Sequence, residues 1–289
     1  MTAEHFSADD LFAIKTLQRD AYDCVEEVAA TLEAGVTEKE AAARVGEALR
    51  ARGADAFFHT PFAWFGDRAA LQNFDQPSWR RPHLNLVFAK QFFPTDRRLE
   101  PGMAGILDVA PIRRGLCADI GYAFSLGPNL ALDRAMGVLR ELRGLILERV
   151  RARATMLEIY REVESLLADQ GYENAHATYP ARVLGHKVGR IPLGRLPSFQ
   201  VAGFDARTYL YFGRQGLAAL PGLRRLPVFN DWSVADKPPE PGLWAMEPHL
   251  RKGGLGAKWE ELLVITERDA YWLDDDLPHV RVQRTAASA

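Results

Sequence analysis

Two pairs of acidic residues lie in segments of the sequence that read as β-hairpins. In the first, the strands Ile106–Ala110 and Cys117–Phe124 flank a tight turn at Arg113–Arg114. A hairpin folded symmetrically about that turn places Asp108 opposite Asp119, with Cβ atoms about 4.5–5.5 Å apart. Two carboxylates this close in an apolar strand repel each other, and burial makes the repulsion more costly. We therefore expect a cation between them.

The second hairpin repeats this arrangement near the end of the sequence. Two apolar runs flank Gly253-Gly254, a dipeptide suited to a two-residue turn because both residues can take a positive φ. Folding about this turn places Glu247 opposite Glu260. Between the two hairpins, His186 follows Gly185 in a short glycine-flanked loop. Four carboxylates and one imidazole suit one or two divalent ions such as Mn, Fe, Co or Zn.

These residues follow the order found in the pita-bread metallopeptidases, and the sequence resembles methionine aminopeptidase, aminopeptidase P and prolidase. The family pattern has two aspartates, a Gly-His loop, a Glu-Pro pair, and a glutamate shortly before a threonine. The resemblance runs from about residue 20 to about residue 275. The matching residues are Asp108, Asp119, Gly185-His186, Glu247-Pro248, Glu260 and Thr266.

The resemblance implies an α+β fold of the pita-bread (creatinase/aminopeptidase) type. This fold has a curved antiparallel sheet with flanking helices, arranged in two pseudo-symmetric halves. We expect residues 1–289 to form a single catalytic domain, without the N-terminal domain of the longer aminopeptidase P relatives.

Local signals in the sequence predict elements that fit this architecture. Thr37 with Glu40, and Thr155 with Glu158, have the spacing of capping boxes at helix starts. The segment from Ala56 to Phe65 reads as one strand. These predictions give each half of the chain its own helices and strands.

The resemblance also implies roles for the matching residues. Asp108 would bind one metal ion, His186 and Glu247 the other, and Asp119 and Glu260 would bridge the two. A hydroxide bridging the ions would attack the substrate. Glu247 would be a catalytic residue as well, since its carboxylate can pass a proton to the leaving amine.

The sequence departs from the family at the residues expected to contact substrate. The family's second histidine, seven residues after His186, is Leu193 here. Loss of one donor to a developing oxyanion typically costs about 10²–10³ in rate. A further family histidine would fall near Phe74, so that match fails too. Another group could supply the donor, or the chemistry differs. The candidates are His83, His59, His249 or an arginine.

His83 and His59 are therefore candidate catalytic residues, and the alternative is that both are ordinary loop histidines. The segment from Arg182 to Arg225 is rich in arginine and aromatic residues. One hypothesis is that it covers the metal site, with Arg190 and Arg195 binding a carboxylate-bearing substrate. A solvated loop or a dimer contact would explain the same composition.

The overall composition limits the class of protein. Hydrophobic residues make up 47% and charged residues 26%, and the net charge of −2 gives no reason to expect nucleic acid or membrane binding. Two cysteines are too few for a disulfide framework, and the first twenty residues lack the apolar core of a secretory signal. We expect a cytoplasmic protein. Its partner would be a small peptide or small-molecule substrate, and a homodimer is a family-level expectation.

Three functions remain open at this point. The first is a dinuclear metal-dependent hydrolase, a peptidase or aminopeptidase of the Xaa-Pro type. The second is a diverged metalloenzyme on the same scaffold that acts on a non-peptide substrate, for instance an anionic one, including oxidative chemistry at a di-iron pair. The third is a non-catalytic binding protein, which ranks last because no ligand position is lost.

Overall fold

The computed structural model describes residues 6–74, 90–191, 200–201, 204–205, 208, 210–211 and 228–281. The helices within these ranges are α1 (Ala8–Ala30), α2 (Glu38–Ala51), α3 (Leu130–Arg151) and α4 (Met156–Asp169). The strands of the first half are β1 (Ala56–Phe57), β2 (Phe62–Phe65), β3 (Ala104–Val109), β4 (Pro111–Arg113), β5 (Leu116–Cys117) and β6 (Ile120–Ser125). The remaining strands are β7 (Glu173–Asn174), β8 (Gly185–Val188), β9 (Gln200–Val201), β10 (Phe204–Asp205), β11 (Val228–Phe229), β12 (Gly242–Met246), β13 (His249–Lys252), β14 (Leu255–Ile265) and β15 (Ala270–Trp272). No helix in the described ranges combines the length and apolar character needed to cross a membrane.

One large antiparallel sheet organises the fold. Its main path runs β11-β8-β12-β14-β6-β3-β2, and β13 and β15 also pair with β14. Helices α1 and α2 pack on the half that contains β2, β3 and β6, whereas α3 and α4 pack on the half that contains β12 and β14. The α+β class and the arrangement in two halves predicted from the sequence are therefore confirmed.

The predicted capping boxes are present at both helix starts. The Thr37 side chain accepts from the backbone N–H of Glu40, and the Glu40 carboxylate accepts from the backbone N–H of Thr37. Thr155 and Glu158 make the same reciprocal pair at the start of α4. Each box satisfies two backbone donors that have no partner within the helix.

The first hairpin has a different register from the predicted one. Its turn lies at Arg114-Gly115, where φ is +52° and +77°. Asp108 consequently pairs with Gly121, and Asp119 is a diagonal neighbour rather than the directly opposed residue. A two-residue turn with positive φ at both positions favours glycine in the second place, which moves the turn one residue along the chain. The prediction that Asp108 faces Asp119 directly is wrong.

The second hairpin has the predicted register. Gly253 and Gly254 both have positive φ, and the strand pairs are Met246 with Glu261 and His249 with Lys258. The intervening residues follow the same register, which places Glu247 opposite Glu260. The glycine pair therefore fixes the alignment of the two carboxylates.

The segment from Ala56 to Phe65 is two strands rather than the one predicted. Strand β1 joins a small sheet with β4 and β5, and β2 joins the large sheet beside β3. Pro61 stands at the break, where it has no backbone N–H to donate to a ladder. His59 lies in the same break and forms an isolated bridge with Phe204.

Helix α1 fixes the backbone of β14 next to Glu260. The Tyr22 hydroxyl donates to the Glu260 carbonyl oxygen at 2.6 Å, and the Gln18 side-chain oxygen accepts from the Leu262 N–H at 2.9 Å. Tyr22 and Gln18 are both fully buried. The strand position that carries Glu260 is thus bound by side chains of the helix as well as by its neighbour strands.

Candidate metal centre

The structure brings the five residues of the predicted ligand set to one buried region between the two halves of the sheet. Asp108 comes from β3, Asp119 precedes β6, and His186 lies on β8. Glu247 follows β12, and Glu260 is on β14. The four carboxylates are between 2% and 7% exposed. Since burial of charged carboxylates is costly without a partner, this convergence favours a cation site.

Two groups of three donors could each hold a metal ion, and Asp119 belongs to both. One group is His59, Asp108 and Asp119, and the other is Asp119, His186 and Glu260. Within each group the donor atoms lie within 4.8 Å of one another. The Asp119 Oδ1 atom is buried and has no hydrogen-bond partner among the described residues. These donors fit divalent ions, which imidazole nitrogen and carboxylate oxygen both bind.

His186 is closely surrounded by neighbouring residues at the site. Its Nε2 atom lies 3.5 Å from Asp119 Oδ2, and its Nδ1 atom lies 3.4 Å from the Lys187 carbonyl oxygen. The ring stacks nearly parallel on Phe58 at 6.3 Å. A Cβ atom on Gly185 would lie 2.5 Å from Met246 Sδ, so the residue before the histidine must be glycine.

Lys258 is a basic residue inside this acidic cluster, and it is not among the site residues predicted from the sequence. Its Nζ atom lies 2.6 Å from Asp108 Oδ2, 3.0 Å from Glu260 Oε2 and 3.2 Å from Glu247 Oε2. The side chain is 1% exposed. Lys258 precedes Glu260 by two positions on β14, and the period of two in a strand places both on the same face. The spacing of two between Lys258 and Glu260 was therefore the signal in the sequence that could have assigned Lys258 to the site.

The neighbouring residue Glu261 points away from the site. Its carboxylate accepts from Arg143 at 2.6 Å and lies 2.9 Å from His279 Nε2. Because side chains alternate along β14, only one of the two adjacent glutamates can face the cluster. The structure assigns Glu260 to the cluster and Glu261 to an ion pair with α3.

The charged groups shift one another's pKa strongly. Burial lowers the pKa of His59, but the carboxylates of Asp119 and Asp108 outweigh burial and raise it to about 9. Burial raises the pKa of Asp119, but the adjacent imidazoles of His186 and His59 hold it below its usual range. Burial, together with Asp119, raises the pKa of Glu260 well above its ordinary value.

The histidines proposed as substitute donors lie in different places in the structure. His59 lies at the site, with Nε2 3.3 Å from Asp108 Oδ1 and 3.5 Å from Asp119 Oδ1. His249 is fully buried, with Nδ1 2.8 Å from the Tyr179 hydroxyl and Nε2 donating to the Ala69 carbonyl at 2.7 Å. Its ring nitrogens are both engaged within the fold. His83, Leu193 and Arg195 lie outside the described residues.

A cavity of about 340 Å³ opens beside the cluster. Its lining is mainly aromatic, and among the described residues that line it none is an arginine or a lysine. Arg190 instead pairs with Asp10 at the start of α1 and lies over the Phe6 ring. The described lining of the cavity therefore suits an apolar group, while most arginines of the arginine-rich segment lie outside the described residues. Its aromatic lining residues are Phe58, Phe62, Trp64, Phe92, Phe93, Tyr179 and Phe204.

Comparison with known proteins gives matches over most of the chain. Residues 13–208 match metallopeptidase family M24. An uncharacterized peptidase of Staphylococcus aureus (strain bovine RF122 / ET3-1) is 23% identical over 184 residues, which are 63% of this chain and 46% of that protein.

Solved structures with the same fold include peptidases from several organisms. The X-Pro aminopeptidase from Thermotoga maritima MSB8 has a TM-score of 0.65 at 19% identity, covering 95% of this chain and 63% of that one. A dipeptidase from Mycobacterium ulcerans has a TM-score of 0.61 at 20% identity, covering 94% and 59% respectively. This chain thus spans less than two thirds of either structure and less than half of the Staphylococcus peptidase. On the family match and the shared pita-bread fold, the chain belongs to metallopeptidase family M24.

Proposed function

We propose that the chain is a metal-dependent hydrolase that cleaves short peptides, with Xaa-Pro peptides as the first class to test. The observation that carries the proposal is the convergence of Asp108, Asp119, His186, Glu247 and Glu260 at one buried cluster beside an accessible cavity. Membership of a metallopeptidase family supports this reaction class, and the structures that resemble this one are described as aminopeptidases and dipeptidases.

These five residues would hold a pair of divalent ions. Such a pair, when bound, supplies a nucleophile near neutral pH and a Lewis acid for the scissile carbonyl. The protein's own contribution is to hold the donors in a water-poor pocket. Glu247 belongs to the cluster and also lines the cavity, where it can take a proton from water and pass it to the leaving amine.

The aromatic cavity would bind the apolar part of the substrate. Phe62 stacks on Trp64 with ring centres 5.5 Å apart, and Trp64 in turn donates to the Phe92 carbonyl at 2.7 Å. These contacts hold the rings in place, so the cavity needs little reorganisation when a ligand enters. A proline ring or a large apolar side chain matches this lining.

The test is hydrolysis of a panel of Xaa-Pro dipeptides by protein loaded with Mn²⁺ or Co²⁺, measured as release of free proline. Glu247→Gln and Glu260→Gln should each lower kcat/KM by at least about 10²-fold, since each removes a charged donor from the cluster. Glu173→Gln is the matched control, because Glu173 is an exposed glutamate on β7. Metal-loaded protein that leaves every peptide intact would contradict the proposal.

A second candidate is a diverged metalloenzyme that acts on an apolar non-peptide substrate. Leu193 favours it, because leucine cannot donate a hydrogen bond where the family has a histidine. The aromatic lining of the cavity is equally compatible with such a substrate. Oxygen uptake by the Fe²⁺-loaded protein, in the absence of peptide hydrolysis, would support this candidate over the first.

A further inference from the structure

His59 lies at the carboxylate cluster although it is not part of the family pattern. The residue is 8% exposed and lies between β1 and β2, at the break caused by Pro61. Its Nε2 atom faces Asp108 Oδ1 at 3.3 Å and Asp119 Oδ1 at 3.5 Å. The imidazole therefore points into the carboxylate cluster.

The other ring nitrogen of His59 identifies the tautomer. Nδ1 lies 2.8 Å from the Thr60 carbonyl oxygen. A carbonyl oxygen only accepts, so Nδ1 carries a proton and donates it, which leaves the Nε2 lone pair available when the ring is neutral. A metal-binding histidine almost always donates its second N–H to a carbonyl or carboxylate in this way. His186 has the same pattern, with Nδ1 against the Lys187 carbonyl and Nε2 towards Asp119.

The ring is also held firmly in this orientation. Phe62 stacks on it at 4.8 Å with an angle of 9° between the planes. Phe204 approaches edge-on from another direction at 6.4 Å. A donor that must meet a metal ion benefits from such fixed placement, because the neighbouring packing sets the ring's rotamer in advance.

Asp119 supplies the second, independent observation. The residue is 3% exposed, yet its buried Oδ1 atom has no hydrogen-bond partner in the part of the chain that the structure describes. This oxygen faces the same space as His59 Nε2 and Asp108 Oδ1. Three donors that converge on one space, one of them an unsatisfied buried oxygen, indicate a position for a cation.

We propose that His59 is a metal ligand, so that each ion of the pair has one histidine. His59 would serve the ion on the Asp108 side, His186 would serve the ion on the Glu260 side, and Asp119 would contact both. The full donor set is then four carboxylates and two imidazoles, the same set that di-iron and di-manganese carboxylate proteins use on a helical bundle. This inference rests on the proposed metal centre and adds a ligand that the family pattern lacks.

The first experiment titrates Co²⁺ into the metal-free full-length protein and follows binding by calorimetry and by the visible spectrum of Co²⁺. The wild type should bind two ions. His59→Ala should weaken one of them at least about 100-fold and change the spectrum, since loss of a hydrogen-bond partner outside the ligand set already costs 10–100-fold. His176→Asn is the matched control, because His176 is also a buried histidine and stands outside both donor groups.

The second experiment uses the unaltered protein and needs no variant to fold. In the proton NMR spectrum of the Co²⁺-loaded protein, the Nδ1–H of each coordinated imidazole gives a strongly shifted signal that exchanges with solvent. Two such signals are expected. One signal, or unchanged Co²⁺ binding by His59→Ala, would overturn the assignment and leave His59 as a substrate contact.

Both readouts are independent of peptide hydrolysis. Two ions and two signals without any peptidase activity would uphold the His59 assignment and contradict only the proposed reaction. Two ions and one signal with peptidase activity would contradict the His59 assignment and uphold the proposed reaction. A wild-type protein that binds no Co²⁺ would overturn both.

Discussion

Lys258 changes the net charge of the carboxylate cluster. Its ammonium group donates to Asp108 Oδ2, Glu247 Oε2 and Glu260 Oε2. Asp108 Oδ1 remains directed towards His59. Lys258 therefore offsets part of the negative charge of the cluster while it leaves carboxylate oxygens for a metal ion. We regard it as a positioning residue for the three carboxylates.

Lys258→Met should make the protein depend on metal for its stability. Without the ammonium, three buried carboxylates repel one another, and removal of one partner from a buried ionic cluster costs about 3–5 kcal/mol. We expect the metal-free variant to unfold at lower urea concentration than the wild type. Added Mn²⁺ should restore much of the difference, because an ion that binds only the folded state stabilises it.

Lys187, on strand β8 of the same sheet, provides the comparison. Lys187 pairs with the half-exposed Glu240 at 3.7 Å, so Lys187→Met should change stability by no more than about 1 kcal/mol. Equal urea midpoints for metal-free Lys258→Met and wild-type protein would show that Lys258 does not hold the carboxylates together.

At the scale of single elements, the sequence predicted helix starts and one hairpin well and the other hairpin poorly. Capping boxes depend on residues three apart, and the Gly253-Gly254 turn depends on its own two glycines, so both are local signals. The first hairpin was predicted to turn at Arg113–Arg114, whereas its turn lies one residue further along the chain, at Arg114-Gly115. Only the positive φ at both turn residues decides between these two positions, and that choice moved Asp108 opposite Gly121.

Gly121 should be intolerant of any side chain, because Lys258 passes directly over it. A Cβ atom there would lie 2.6 Å from Lys258 Cε and 3.3 Å from Glu260 Cβ. Gly121→Ala should therefore lower the free energy of unfolding by about 1–3 kcal/mol, the usual cost of overpacking. It should also weaken metal binding, since it displaces the side chain that positions the carboxylates. Chemical denaturation and calorimetry measure the two effects.

The matched variant is Gly144→Ala on α3. Gly144 is exposed, and a Cβ atom at this position has no described neighbour within 4 Å. The substitution should raise stability by up to about 1 kcal/mol, because alanine favours the helix over glycine. If the two glycine variants had the same stability, the close approach of Lys258 to Gly121 would be wrong.

At the scale of the whole molecule, a buried histidine outside the cluster should govern part of the acid sensitivity. His176 is fully buried, its Nδ1 lies within 3.4 Å of the His249 backbone, and burial lowers its pKa to about 3. The unfolded chain would bind this proton near pH 6.5. Between pH 6.5 and 3 the unfolded state binds more protons, so stability falls as the pH falls, by about 1.4 kcal/mol per pH unit for this residue.

His176→Asn should reduce that slope. The amide can still hydrogen-bond the backbone of His249, but it does not titrate in this range. Urea unfolding at pH 7, 5 and 4 should show a shallower decline for the variant than for the wild type. Parallel declines would mean that His176 does not contribute to acid unfolding.

The residues of the site differ in how well the sequence predicts their positions. The five family-pattern residues could be chosen from spacing and order, because strands and turns determine which of them share a face. Lys258 could also have been assigned to the site from its spacing of two from Glu260, whereas the position of His59 relative to the cluster could not be predicted. His59 reaches it only because the chain breaks at Pro61 and transfers from the small sheet to the large one. That transfer depends on tertiary packing.

The donors of the cluster lie far apart along the chain, from His59 to Glu260, and they come from strands in both halves of the sheet. A folding transition state rich in local contacts would contain few of the contacts between these donors, since closing such long loops is slow and costly in entropy. Interactions that form after the transition state change the unfolding rate rather than the folding rate. Bound metal would therefore prolong the lifetime of the folded chain without making the chain fold faster.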